Sequence, residues 1–198
     1  WFDRSLGVAG RVVVRSENAF APKTMLYRSK KALLIIPNLA IHMNRDVNKG
    51  VAINQQIDLM PVVDLLPKEQ QSTEYFLTFL AKELGVAKED ILDFELNTYC
   101  MEEPTEIGAE ATMLSSPRLD NQTSVAALLL ALTEAKREEG INLIALFDNE
   151  EIGNTGKQGA ASILLHDMTR RIYRALGCKE EQTDAAMYRG MLLSVDVA

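Results

Sequence analysis

Histidine and cysteine are scarce in this chain, with two of each in 198 residues. Cys100 and Cys178 lie far apart and form no CxxC or Cys/His pattern, which argues against a zinc finger or a disulfide framework. They read as two reduced thiols of a cytosolic protein. No apolar run approaches the ~18 residues of a membrane span. No signal peptide, internal repeat or low-complexity tract is visible, although the chain opens on Trp1 without an initiator Met. Basic charge is in deficit: 21 Lys and Arg stand against 28 Asp and Glu, a formal charge of -7. Nucleic acid and anionic membrane surfaces want clustered cations, so neither is expected as a partner. The glycines form no phosphate-binding loop and no basic phosphate clamp is evident, which weakens a magnesium phosphohydrolase reading.

What is present is ordinary globular composition, 47% hydrophobic and 25% charged, enough for a sizeable core in one large or two small domains. The first half reads as β-rich. VAGRVVVR at 8–15, ALLII at 32–36 and residues 51–57 have strand character, the second stopped by Pro37. From Thr73 the apolar period becomes helical through Tyr75, Phe76, Phe79, Leu80 and Leu84, with Gly85 as the stop. KEDILDFELNTY returns to strand character, and EATMLSSPRLD reads as a strand entering a loop. The second half differs. Residues 122–138 predict a buried helix ended by Gly140, and 159–176 a second helix ended by Gly177. INLIALF at 141–147 and MLLSVDVA at 191–198 look like strands covered on both faces. Helix alternating with strand predicts an α/β layer architecture. The composition shift near 105–115 divides the chain into a β-rich part, 1–110, and an α/β part, 111–198.

In open α/β sheets, functional groups gather beyond the carboxyl ends of the strands. IALFDNEEIGNTGKQGA delivers Asp148, Glu150 and Glu151 there, followed by three glycines. Asp196 interrupts the last apolar run, where an ionised carboxylate is costly unless paired or metal-bound. Asp120 follows SSPRL and precedes a helix. Taken singly, Asp120 fits a helix N-cap and Glu150–Glu151 a solvated turn. Together they outline a carboxylate metal site. In such a site one Glu can bind metal while its neighbour takes a proton during water attack on a carbonyl. Oxygen ligands suit Mg, Mn or Ca as well as Zn, so spacing alone leaves the metal open.

Five stretches carry a specific resemblance as a set: WFDRSLGVAGRV, IIPNLAIHMNRDVN, SSPRLDN, FDNEEIGNTGKQGA and SVDVA. Spanning nearly the whole chain in order, they resemble the M18 metallo-aminopeptidases, and most of all the bacterial members of the aspartyl aminopeptidase group. The resemblance implies part of an α/β/α metallopeptidase sandwich, with a β-rich dimerisation domain, residues 1–110, inserted before it. It implies a hydrolase with two zinc ions, manganese or cobalt being alternatives, that removes N-terminal residues from peptide substrates. By motif match Asp120 would bridge the two metals and Glu150 would be the general base. Glu151 would ligate one metal and Asp196 the other. His42, in LAIH, would reach the partner subunit's active site and help hold the substrate or the tetrahedral intermediate. Without the motif, His42 reads as a packed or surface imidazole. His166 has no matching motif and reads as a surface residue, and Asp148 as part of the loop. A cytoplasmic homo-oligomer is implied, with dimers packed into a dodecamer.

The departures are equally specific. Members of the family carry one metal-ligand His upstream of WFDR and another far downstream of SVDVA, and neither is present. After EEIG the family commonly has serines, where this chain has Asn154-Thr155-Gly156. The expectation is therefore the dimerisation domain plus a central slice of the catalytic domain, taken from a longer parent enzyme. A molecule of only this length is expected to be inactive. The alternative reading is such an inactive fragment serving as an oligomerisation or interaction module.

Overall fold

The computed structural model describes residues 2–196, which divide between two compact units, Trp1–Pro117 and Arg118–Ala198. Trp1, Val197 and Ala198, at the outer ends of the WFDR and SVDVA motifs, lie outside the described residues.

The first unit is built on strand β1 (Leu6–Val14), flanked by β2 (Lys23–Arg28) and β3 (Ile91–Cys100) in an antiparallel sheet of order β2-β1-β3. Alternation along β1 sends Val8, Val12 and Val14 to one face. There they pack with Tyr27 and with Leu80 of helix α2 (Tyr75–Leu84). On the opposite face Arg11 lies across from Glu95, and its Nε donates to the Glu95 carboxylate at 2.8 Å. Gly10 is obligatory for a local reason. A Cβ there would stand 2.0 Å from the Glu95 carbonyl oxygen of the neighbouring strand. Helix α2 ends as its sequence predicts. Gly85 takes a left-handed conformation (φ 68°), and its N–H is directed at the Ala81 and Lys82 carbonyls. A two-stranded hairpin, β4 (Thr105–Ile107) with β5 (Met113–Ser115), completes this unit's ladders.

Residues 32–36 form single bridges rather than a full strand: Leu34 to Leu6, Ile35 to Val62 and Ile36 to Phe2. The reciprocal Ile35–Val62 backbone pair, at 3.1 and 2.8 Å, closes the base of an excursion running over 36–61. Tyr75 pins the chain beyond it by donating its hydroxyl to Asp64 at 2.7 Å. That bond, with the Leu65 N–H, holds the Asp64 carboxyl below its ordinary range. Within the excursion, 51–57 is not the strand its alternation suggests. Asn54 is a helix cap, not a strand's polar face. Its side chain accepts from the Gln56 and Ile57 amides at 3.0 and 3.3 Å and starts the short helix α1 (Gln55–Asp58).

The second unit is helical where it is regular: α3 (Leu119–Glu134), α4 (Leu164–Ala175) and α5 (Glu180–Arg189). Helix α3 stops before Gly140 because Lys136, Arg137, Glu138 and Glu139 offer no apolar side chain to bury. Helix α4 starts later than 159 because the Ala160 and Ala161 amides are taken by the Asn149 and Asn154 carbonyls. Arg170 ties α4 to α5, donating to Asp184 at 2.6 Å and Glu180 at 2.7 Å. The apolar runs 141–147 and 191–196 form no strand ladder among the described residues. Ile141, Leu143 and Leu146 are exposed, as are Met191, Leu192 and Leu193. A strand of this composition needs neighbours on both edges and cover on both faces, and neither run meets them here.

Candidate metal centre

The loop after 141–147 is the most constrained part of the candidate site. Asn149 pairs with Gly159 as a parallel bridge, and the Ala160 amide donates to the Asn149 carbonyl at 3.0 Å. Inside that closure the Gly156 amide reaches the Gly153 carbonyl at 2.9 Å, and the Gly159 amide reaches Gly156 at 3.0 Å. Two glycines are required. Gly153 sits at φ 76°, where a side chain would be strained. A Cβ on Gly159 would come within 1.9 Å of the Asn154 carbonyl oxygen. Ser162 finishes the loop: its hydroxyl donates to the Gly159 carbonyl at 2.7 Å and accepts from the Leu164 amide at 3.2 Å, at the start of α4.

Glu150 and Glu151 leave this loop one after the other, both exposed. Asp148 precedes them, also exposed, at a bend. Asp120 is the second residue of α3 and exposed, but its backbone (φ -80°, ψ 112°) is not helical. The cap position of α3 is Arg118, and no side-chain cap bond starts the helix. Arg118, two residues before Asp120, has φ 68°. Beside Asp120 the Asn121 Oδ1 atom is buried with no hydrogen-bond partner among the described residues. Asp196 is exposed at the end of the described chain.

In the first unit His42 lies exposed in a turn closed by the Met43 and Asn44 amides on the Ala40 carbonyl, at 2.8 and 3.0 Å. Leu39, Ile41 and Met43 around it are exposed too. His166 is on α4, its Nδ1 3.6 Å from its neighbour Asp167.

The donor chemistry suits a divalent metal ion without selecting which one. Asp120, Glu150 and Glu151 are carboxylates that no ion pair consumes among the described residues. Assembly is another matter: among the described residues no three His, Cys, Asp or Glu side chains converge as a metal-binding group. The structure places the Glu pair side by side and leaves Asp120 and Asp196 on separate segments. Sequence reasoning passed over Asn149 and Asn121. The signal for Asn149 was its type, since Asn readily bonds nearby backbone in loops.

A family model for the aminopeptidase I zinc metalloproteases (M18) matches residues 1–198. The chain belongs to the M18 family. It is 43% identical over 198 residues to a probable M18 family aminopeptidase 2 from Clostridium acetobutylicum, covering all of this chain and 46% of that protein. An aspartyl aminopeptidase 4 from Saccharomyces cerevisiae is 36% identical, with 100% of this chain and 48% of that one covered. Among solved structures the chain resembles the S. cerevisiae mApe1 dodecamer, with a TM-score of 0.63, 26% identity and coverage of 88% of this chain and 40% of that one. The chain thus spans about half the length of the M18 relatives it matches. The mixed helix and strand architecture is that of M18 structures. No helix among the described residues is long and apolar enough to cross a membrane.

Proposed function

We propose that the complete protein is a cytoplasmic zinc aminopeptidase that removes N-terminal residues, acidic ones by preference, from peptides. The observation that supports it most is the exposed Glu150–Glu151 pair on its closed loop in an M18 chain. Asp120, Glu151 and Asp196 would hold two zinc ions, with Asp120 shared between them. When bound, such ions polarise a peptide carbonyl and acidify water. Glu150 takes the proton from the attacking water and delivers it to the departing amine. The preference for acidic residues rests on likeness to aspartyl aminopeptidases. Zinc depletion tests the reading. Chelation is expected to abolish release of N-terminal residues, and zinc, or manganese or cobalt in its place, to restore it. Plasma emission is expected to find about two zinc ions per chain, the usual number for a two-metal hydrolase. A metal-free protein that still cleaves peptides would sink it.

In the same reading the β-rich part, 1–110, dimerises, and 111–198 belongs to the catalytic domain. Leu39, Ile41, Met43, Val51, Ile53 and Ile57 expose apolar surface along the excursion that carries His42, which a monomer would normally cover. A dodecamer is known for the similar mApe1. His42 then serves the active site of the neighbouring subunit. Mixing His42→Ala with Glu150→Gln subunits, each inactive alone, is expected to restore up to about a quarter of wild-type activity after subunit exchange, since trans-acting groups complement in mixed oligomers. Failure to complement, with exchange verified by mass, would place His42 outside the neighbour's site. The same exposed surface favours a second reading, an oligomerisation module without chemistry. A stable oligomer that holds no zinc and releases no residues would establish it.

A further inference from the structure

We infer that Asn149 is a positioning residue for the Glu150–Glu151 pair, an inference that rests on the catalytic reading of that pair. Two adjacent carboxylates repel, and a Gly-containing loop is the least able to hold them in one orientation. Asn149 supplies the restraint from both ends of its own residue. Its backbone carbonyl accepts from Ala160 at 3.0 Å, fixing the loop's base. Its side-chain Nδ2 donates to the Ile152 carbonyl at 3.0 Å, reaching across both glutamates to the residue after them. Glu150 and Glu151 are therefore enclosed in an arch whose two feet belong to Asn149 and Ile152. A Cβ on Gly153 would lie 3.2 Å from Nδ2, a tight approach that glycine avoids. Gly at 153 thus leaves room for the brace.

Chemistry explains why the brace is an amide. A Lys or Arg there would pair with the glutamates and compete with any metal for them. An Asp would turn an acceptor toward the Ile152 carbonyl. Asn gives a neutral donor that holds the backbone and leaves both carboxylates unpaired. Groups that orient metal ligands from outside typically matter about 10–100-fold in affinity or rate.

The test uses the complete zinc-loaded protein with Asn149→Ala and the isosteric Asn149→Asp, beside Glu150→Gln. Zinc affinity is read by chelator competition, and kcat and KM with a chromogenic acidic aminoacyl substrate. The visible spectrum of the cobalt-substituted protein reports ligand geometry independently of turnover. Both Asn149 variants are expected to bind zinc about tenfold more weakly and lose about 10–100-fold in kcat, with KM within about twofold. Their cobalt spectra are expected to shift while the circular dichroism stays unchanged. Wild-type zinc affinity, kcat and cobalt spectrum in both variants, with Glu150→Gln inactive, would overturn the positioning role alone. So would variants that fail to fold, because Asn149 would then be structural. Turnover by Glu150→Gln would instead overturn the catalytic reading, and the inference with it.

Discussion

Replacing Glu150 by Gln is expected to lower kcat of the complete protein by about 10²–10⁴-fold, the usual contribution of a positioned general base. Gln keeps the shape and polarity of the side chain but cannot accept a proton at neutral pH. Glu150 is exposed within the closed loop, so the substitution leaves no buried group unsatisfied and no cavity. Zinc content is expected to stay at the wild-type level, because the neighbouring Glu151 is the proposed ligand. Glu151→Gln makes the complementary case. It should lose metal and turnover together, since an amide oxygen is a far weaker zinc ligand than a carboxylate. Comparing the two separates base from ligand in adjacent residues of one type. A Glu150→Gln enzyme keeping more than a tenth of wild-type kcat would remove Glu150 from the chemistry. Loss of zinc in that variant would exchange the two assignments.

The parts of this fold that could be read from sequence are those where one local rule acts alone. Val8, Val12 and Val14 alternate along β1, and the Tyr75–Leu84 period meets its stop at Gly85. Where two rules compete, sequence misled. Asn54 lies in a stretch whose Asn and Gln fall between Ile53 and Ile57 as a strand's polar positions would, yet its side-chain Oδ1 accepts from the Gln56 and Ile57 amides. β2 passed unread because KTMLYR buries only Tyr27 fully; its pairing with β1 makes it a strand. α5 passed unread because Glu180–Arg189 buries only Thr183. Its start was signalled by Gln182, whose side chain accepts from the Lys179 amide at 2.8 Å. The opposite error was made at 141–147 and 191–196, where apolar content implied strands that find no ladder. Composition shows that a segment wants cover, whereas pairing depends on distant residues. The candidate site follows the same division. The residue types were legible and their order specific, and the loop holding Glu150 and Glu151 forms from local bonds. Asp120 and Asp196 stand on separate segments, and their approach to that loop would need long-range packing that no local pattern encodes.

Leu80→Ala is expected to destabilise the first unit by about 2–5 kcal/mol, the range for buried Leu truncations. Leu80 is fully buried on α2 and meets Val8, Val12, Val14 and Tyr27. Losing the transfer free energy of a buried Leu accounts for about 1.5–3 kcal/mol. The cavity adds the rest, because β1 is held on both edges and cannot collapse inward. Val12↔Met25 and Val12↔Phe94 fix it between β2 and β3. Domains of this kind are stable by only about 5–15 kcal/mol, so the loss takes a large share. Leu26 on β2 provides the contrast, since it is 85% exposed. Leu26→Ala should change stability by less than about 0.5 kcal/mol. Urea unfolding of the complete protein, followed by circular dichroism, compares the two variants. Equal midpoints would mean that α2 does not cover the sheet in solution. The consequence extends to function. The excursion bearing His42 is anchored to this unit by the Ile35–Val62 pair and by Tyr75 at the start of α2. A loosened α2 would loosen the anchor of the histidine as well. If His42 acts across subunits, Leu80→Ala should lower activity at temperatures where the first unit begins to unfold, before zinc is lost from the second. Activity that falls only in step with zinc loss would show that the first unit does not contribute to catalysis.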